Sequence, residues 1–196
     1  MNRLKFLFLG FLLIILLNEP YAQKDNKGSG NELIHKFFTG GSLGLQFGSY
    51  TYINVAPIIG YRFNEYIACG IGPNYTFYHS KDYYYYPPVI YSTHLYGGNF
   101  FTRVYFLKDI IPSIKDIYVH GEIEALNVET QYFDYSLSHP GKRYWVGSVF
   151  GGAGIRQMLG ERVFSTITVL FNFNETIDSP YYGNPLVYRV GIEINL

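Results

Sequence analysis

The sequence predicts an all-β fold, an eight-stranded antiparallel up-and-down transmembrane β-barrel, and three observations carry that prediction. The last segment, Tyr188 to Leu196, alternates without a break. Tyr188, Val190, Ile192, Ile194 and Leu196 therefore share one face, and Arg189, Gly191, Glu193 and Asn195 the other. Segments of this period recur eight times between turn signals, an even number, each near the ~9–11 residues that a tilted strand needs to cross a bilayer. Aromatic residues make up 19% of the chain, with 21 Tyr and 16 Phe, against 15% charged residues. That balance suits a protein with aromatic girdles at a membrane interface better than a soluble domain.

At the N-terminus, Arg3 and Lys5 precede an apolar run from Phe6 to Leu17, followed by Asn18-Glu19-Pro20-Tyr21 and Ala22-Gln23. This is the order of a secretory signal peptide. The run falls short of the about 20 residues a membrane helix needs, so residues 1–22 are expected to be removed after Ala22. No Cys follows the run, which argues against a lipid on a new N-terminal Cys. Residues 23–36 are polar and rich in Lys, Asn and Gly and read as a flexible periplasmic leader. The barrel is expected over 37–196.

The expected strands are Phe37–Phe47, Tyr52–Phe63, Tyr66–Tyr78, Thr93–Phe106, Ile117–Glu129, Arg143–Gln157, Val163–Phe173 and Pro185–Leu196. Tight turns are expected at Asn64-Glu65 and Leu159-Gly160-Glu161, and long connections from His79 to Ser92, Thr130 to Lys142 and Asn174 to Asn184, as in barrels with short periplasmic turns and long outer loops. Two links depart from that rule: the short one at Gly48-Ser49-Tyr50, and the long one from Leu107 to Asp116, whose Ile110, Ile111 and Ile114 could form a helical turn.

Residue size decides which face meets lipid. In the second and third strands one face carries Ile53, Val55, Pro57, Ile59, Tyr61 and Phe63, then Ile67, Cys69, Ile71, Pro73, Tyr75 and Phe77. The other carries Asn54, Ala56, Ile58, Gly60 and Arg62, then Ala68, Gly70, Gly72, Asn74 and Thr76. Gly weakens a strand and needs a reason. A narrow eight-stranded barrel supplies one, because Gly and Ala make room for the few long polar side chains that fill its interior. A soluble lipocalin-like barrel would reverse the faces.

On the inward parity Arg62, Arg103, Glu122, Glu124, Arg156, Arg189 and Glu193 form a candidate lumen network. Charges withdrawn from water need partners, so the expected role is internal pairing, with a solute path as the functional alternative. His120, Glu122 and Glu124 recur at spacing two, about 7 Å apart along a strand, without a second His-rich strand to complete a metal site. No metal, cofactor or catalytic role is assigned. There is no G-x-S-x-G elbow, and a formal net charge of zero leaves no basic stripe for nucleic acid. The single Cys69 excludes an internal disulfide. The run Tyr83-Tyr84-Tyr85-Tyr86-Pro87-Pro88 is the candidate surface-binding loop, since exposed aromatics are adhesive toward proteins and glycans.

Ile59-Gly60-Tyr61-Arg62-Phe63 leading into Gly70-Ile71-Gly72-Pro73, then Gly97-Gly98-Asn99-Phe100-Phe101-Thr102-Arg103-Val104-Tyr105-Phe106, and finally Ser179-Pro180-Tyr181 with Asn184-Pro185 before Arg189-Val190-Gly191, resemble the small eight-stranded outer-membrane β-barrel proteins of Gram-negative bacteria. The resemblance covers most of 37–196. It implies outer-membrane lipid around the barrel and the barrel-assembly machinery acting through the C-terminal strand, where members usually end in Phe and this chain has Leu196. Such proteins include adhesins, passive barrels and a few lipid-modifying enzymes. The expectation is a non-enzymatic barrel with a structural, surface-interaction or limited-permeability role and, in a loop, contact with an extracellular protein or glycan. The alternatives are a membrane-embedded enzyme acting on lipid, for which His94 with Ser92 or Thr93 is the candidate, and a soluble periplasmic ligand-binding barrel.

Overall fold

The computed structural model describes residues 31–47, 50–82, 89–106, 116–133, 141–174 and 176–196. The expected signal peptide and most of the leader lie outside them, as do Ile110, Ile111 and Ile114. Eight strands form one closed antiparallel barrel in chain order: β1 (Phe37–Phe47), β2 (Tyr50–Arg62), β3 (Ile67–Asp82), β4 (Val89–Val104), β5 (Ile117–Glu129), β6 (Arg143–Met158), β7 (Val163–Asn172) and β8 (Leu186–Asn195). Closure is made by β1 on β8, from Phe38 opposite Asn195 to Leu45 opposite Tyr188. No sheet edge remains open, which is the condition for strands to sit in a medium that offers no hydrogen bonds. The barrel has a basal rim, where β1 begins and β8 ends, and an opposite distal rim.

Burial alternates along the strands with period two, and the exposed parity is apolar around the whole circumference. Leu43, Ile59, Ile71, Phe100, Ile123, Val149, Ile167 and Val190 all face outward and exposed. Near the basal rim the belt ends in rings: Tyr61 packs edge-on against Phe37 and Phe63 at centroid distances of 5.0 and 5.1 Å. At the distal ends of β4, β5 and β6 the outer face turns polar. There Arg143 donates to Asn127 Oδ1 at 2.5 Å, pairs with Glu129 at 3.0 Å and stacks over Tyr96. An apolar band between an aromatic and a polar border is the surface of a membrane barrel.

Two connections differ from expectation. Instead of a loop from His79 to Ser92, β3 and β4 stay paired out to Asp82 opposite Val89. Apolar alternation fades there, but a backbone ladder needs none. The connection after β5 begins with a helical turn, α2 (Thr130–Phe133), that buries Phe133. At the other end α1 (Asn31–Ile34), within the stretch read as leader, precedes β1. The Lys36 carbonyl accepts from Arg62 N, and His35 Nδ1 lies 3.2 Å from the Leu196 carbonyl oxygen.

Three glycines of the inward face make room for neighbouring aromatic rings rather than for long polar chains, while Gly40, Gly72, Gly97 and Gly152 lie against backbone carbonyl oxygens of the adjacent strand. A Cβ on Gly60 would meet the Phe38 ring, one on Gly70 the Phe101 ring, and one on Gly154 the Tyr118 ring. Gly60→Ala should therefore cost about 1–3 kcal/mol, the usual effect of overpacking. Adding Phe38→Leu should recover most of that in urea titrations of the detergent-folded protein; no recovery would mean that Gly60 is kept for its backbone.

Candidate functional site: the barrel interior and its basal mouth

The seven charged residues expected in the lumen all lie in the interior, but they form two clusters of different balance. The first sits at mid-height. Arg189 donates to Glu122 Oε2 at 2.5 Å and lies 3.6 Å from Glu124. Glu122 also accepts from Asn99 at 3.2 Å, and Glu124 from Asn74 and, at 2.6 Å, from the Tyr181 hydroxyl. One cation thus faces two carboxylates, whose remaining lone pairs are met by neutral donors, as buried charges require.

Nearer the basal rim the balance reverses. Glu193 faces Arg103, Arg62 at 3.4 Å and Arg156 at 4.0 Å. Aromatic faces hold the surplus. Arg62 lies 4.9 Å from the Phe38 centroid, Arg103 lies 4.7 and 4.8 Å from Phe101 and Tyr118, and Arg156 lies 3.6 Å from Phe164. The quadrupole of a ring face attracts a guanidinium. His120 joins the clusters: an arginine Nε can only donate, so Arg103 Nε donates to His120 Nδ1 at 3.3 Å. The imidazole proton is then on Nε2, which donates to Glu122 at 3.0 Å.

The distal half is closed by packing. Tyr52, Leu95, Leu126, Val128, Phe133, Phe150, Leu170 and Val187 form one buried cluster, and the connection after β7 folds into it. Two overlapping turns, Tyr182 N to Ser179 O and Asn184 N to Tyr181 O, both at 3.1 Å, the second containing Gly183 at φ 77°, precede Leu186, where β8 starts. They point Tyr181 inward, where it is fully buried and its hydroxyl lies 2.7 Å from Tyr52 OH. Burial, reinforced by the Glu124 charge, holds the Tyr181 phenol well above its usual titration range. It stays a donor to Glu124.

The basal half holds a second buried cluster, Phe38, Ile58, Ala68, Phe101, Tyr105 and Tyr118, and is open at its mouth. A cavity of about 370 Å³ enters from that rim, lined by Lys36, Arg62, Tyr105 and Arg156 with Glu65 and Asp116 at its lip. Deeper in, a water-sized space of about 20 Å³ lies among Asn99, Arg103, His120, Glu122 and Arg189.

Sequence parity placed the charged groups but missed what they bind. Tyr52, Asn74 and Tyr181, which meet Glu124 or each other, carry no charge, and neither do the rings stacked on the arginines. Phe38, Phe101, Tyr118 and Phe164 do sit on the inward parity, so that signal was present. Tyr83, Tyr84, Tyr85 and Tyr86 lie outside the described residues. His94 does not meet Ser92 or Thr93: its Nδ1 lies 2.7 Å from Tyr75 OH, Thr93 donates to Glu129, and Ser92 Oγ lies 2.8 Å from His79 Nδ1. Among the described residues no group of three or more His, Cys, Asp or Glu is placed to hold a metal ion.

No protein-family model and no curated protein sequence matches the chain. Among solved structures, the crystal structure of the N-terminal β-barrel domain of Pseudomonas aeruginosa OprF is similar at 11% identity, over 82% of this chain and 98% of that one, with a TM-score of 0.44. The solution NMR structure of the de novo designed TMB2.3 is similar at 10% identity, over 82% and 94%, with a TM-score of 0.40.

Proposed function

We propose that the chain is a non-enzymatic structural protein of the outer membrane, a barrel sealed to steady solute flow. One observation carries this reading: a continuous apolar outer belt encloses an interior whose distal half is filled by packed side chains and by the inserted Tyr181. The belt suits lipid, and eight strands leave a lumen that side chains can fill. The basal rim, with its turns at 63–66 and 159–162, faces the periplasm in this placement, and the distal connections face outward.

The rival reading, an enzyme acting on lipid, has the Ser92 and His79 pair on the outer face of the β3–β4 ladder. A nucleophile of that kind needs a base that is itself oriented and free N–H groups for the oxyanion. Here the ladder engages the backbone, and no carboxylate is found on His79 among the described residues.

Three measurements test the proposal. Cell fractionation should recover the protein with the outer membrane, and recovery in the soluble pool would refute it. In planar bilayers the reconstituted protein should show no stable open channel; a large steady conductance would overturn the sealed interior. A fluorophosphonate probe should leave Ser92 unlabelled, and labelling lost in His79→Ala would favour the enzyme.

A further inference from the structure

The geometry points to an anion-binding site in the basal cavity, taking a phosphate group. Three arginines share Glu193, and the other carboxylates lining the cavity among the described residues are Glu65 and Asp116 at its mouth. Arg156 and Arg62 both line the cavity, and the Nε atoms of both are buried without a hydrogen-bond partner. The Arg156 side chain is only 9% exposed. Guanidinium groups suit the several oxygens of a phosphate, and among the described residues the four cations at this end, Lys36, Arg62, Arg103 and Arg156, outnumber the three carboxylates, Glu65, Asp116 and Glu193.

Lys36 adds a third cation at the mouth. The opposing carboxylates, Glu65 and Asp116, stand at the lip, one exposed and one half-buried, where water screens them more than the walls are screened. The aromatic faces of Phe38 and Phe164 hold Arg62 and Arg156 in place. The cations are thus preorganised before a ligand arrives. The cavity, about 370 Å³, has room for a phosphate and part of what it is attached to.

The test is calorimetric titration of the folded full chain in maltoside detergent, which contains no phosphate, with inorganic phosphate and separately with dihexanoyl phosphatidic acid. Saturable binding of one phosphate group per barrel is expected. Saturation by inorganic phosphate assigns the site to a free anion, and saturation by the lipid alone assigns it to a headgroup. Arg156→Gln and Arg62→Gln should each weaken binding about tenfold or more, as loss of a charge-assisted contact does, while Arg143→Gln at the distal rim should change nothing. Lys36 is exposed and peripheral to the fold, so Lys36→Gln gives a reading even if the arginine variants fail the heat-shift test of folding; it should weaken binding several-fold. No saturation with either probe, or equal affinity in every folded variant, overturns the site.

Discussion

Arg189→Leu should destabilise the barrel by about 3–5 kcal/mol, the cost of leaving buried charges without their partner. Arg189 is the shared cation of Glu122 and Glu124, at 2.5 and 3.6 Å, and all three side chains are nearly or wholly excluded from water. The neutral donors around the carboxylates, Asn74, Asn99 and Tyr181, would remain but cannot replace a positive charge. Urea titration of the detergent-folded protein, read by heat-shifted gel mobility, should show the midpoint fall. Combining Arg189→Leu with Glu122→Gln should return a large part of the loss, because the second change removes one of the stranded charges. Additive losses in the double variant would mean that the pair does not act as a unit.

Ile123→Arg should block or strongly impair insertion. Ile123 is at the middle of β5, flanked by Phe100 on β4 and Val149 on β6, and points outward. An arginine at the bilayer midplane of such a barrel costs about 2–4 kcal/mol. Trp145→Arg, nearer the distal end of β6 and on the same outward parity, should be milder, since the cost falls toward the interface. Folding into lipid vesicles is the measurement. Equal folding yield for Ile123→Arg and the parent chain would place this face in water and return the soluble-barrel alternative.

The strands were legible because two requirements coincide in the residues. Each strand must be long enough to cross a bilayer and must show lipid only apolar side chains, so β1 and β5 occur at their expected bounds, from Phe37 to Phe47 and from Ile117 to Glu129. Where one requirement lapses, the reading shortens. Beyond Tyr78 the outward residues stop being apolar, and the ladder to Asp82 was invisible to a rule based on hydropathy. The face of small residues on β2 and β3 was also legible, although its occupants were not: Gly60 and Gly70 sit under rings from β1 and β4.

The sequence by itself determined the strand count, the inward or outward side of each residue and hence which charges enter the lumen. Period two is a local property, written into neighbouring residues. Only the tertiary structure decided which inward residues meet, because that depends on the register of every ladder and on the stagger with which β1 closes on β8. Arg189 reaches Glu122 from 67 positions away, and Tyr181 reaches Tyr52 from 129. The same closure gathers three arginines around Glu193 at one end and seals the other with a loop that alternation could describe only as long and polar.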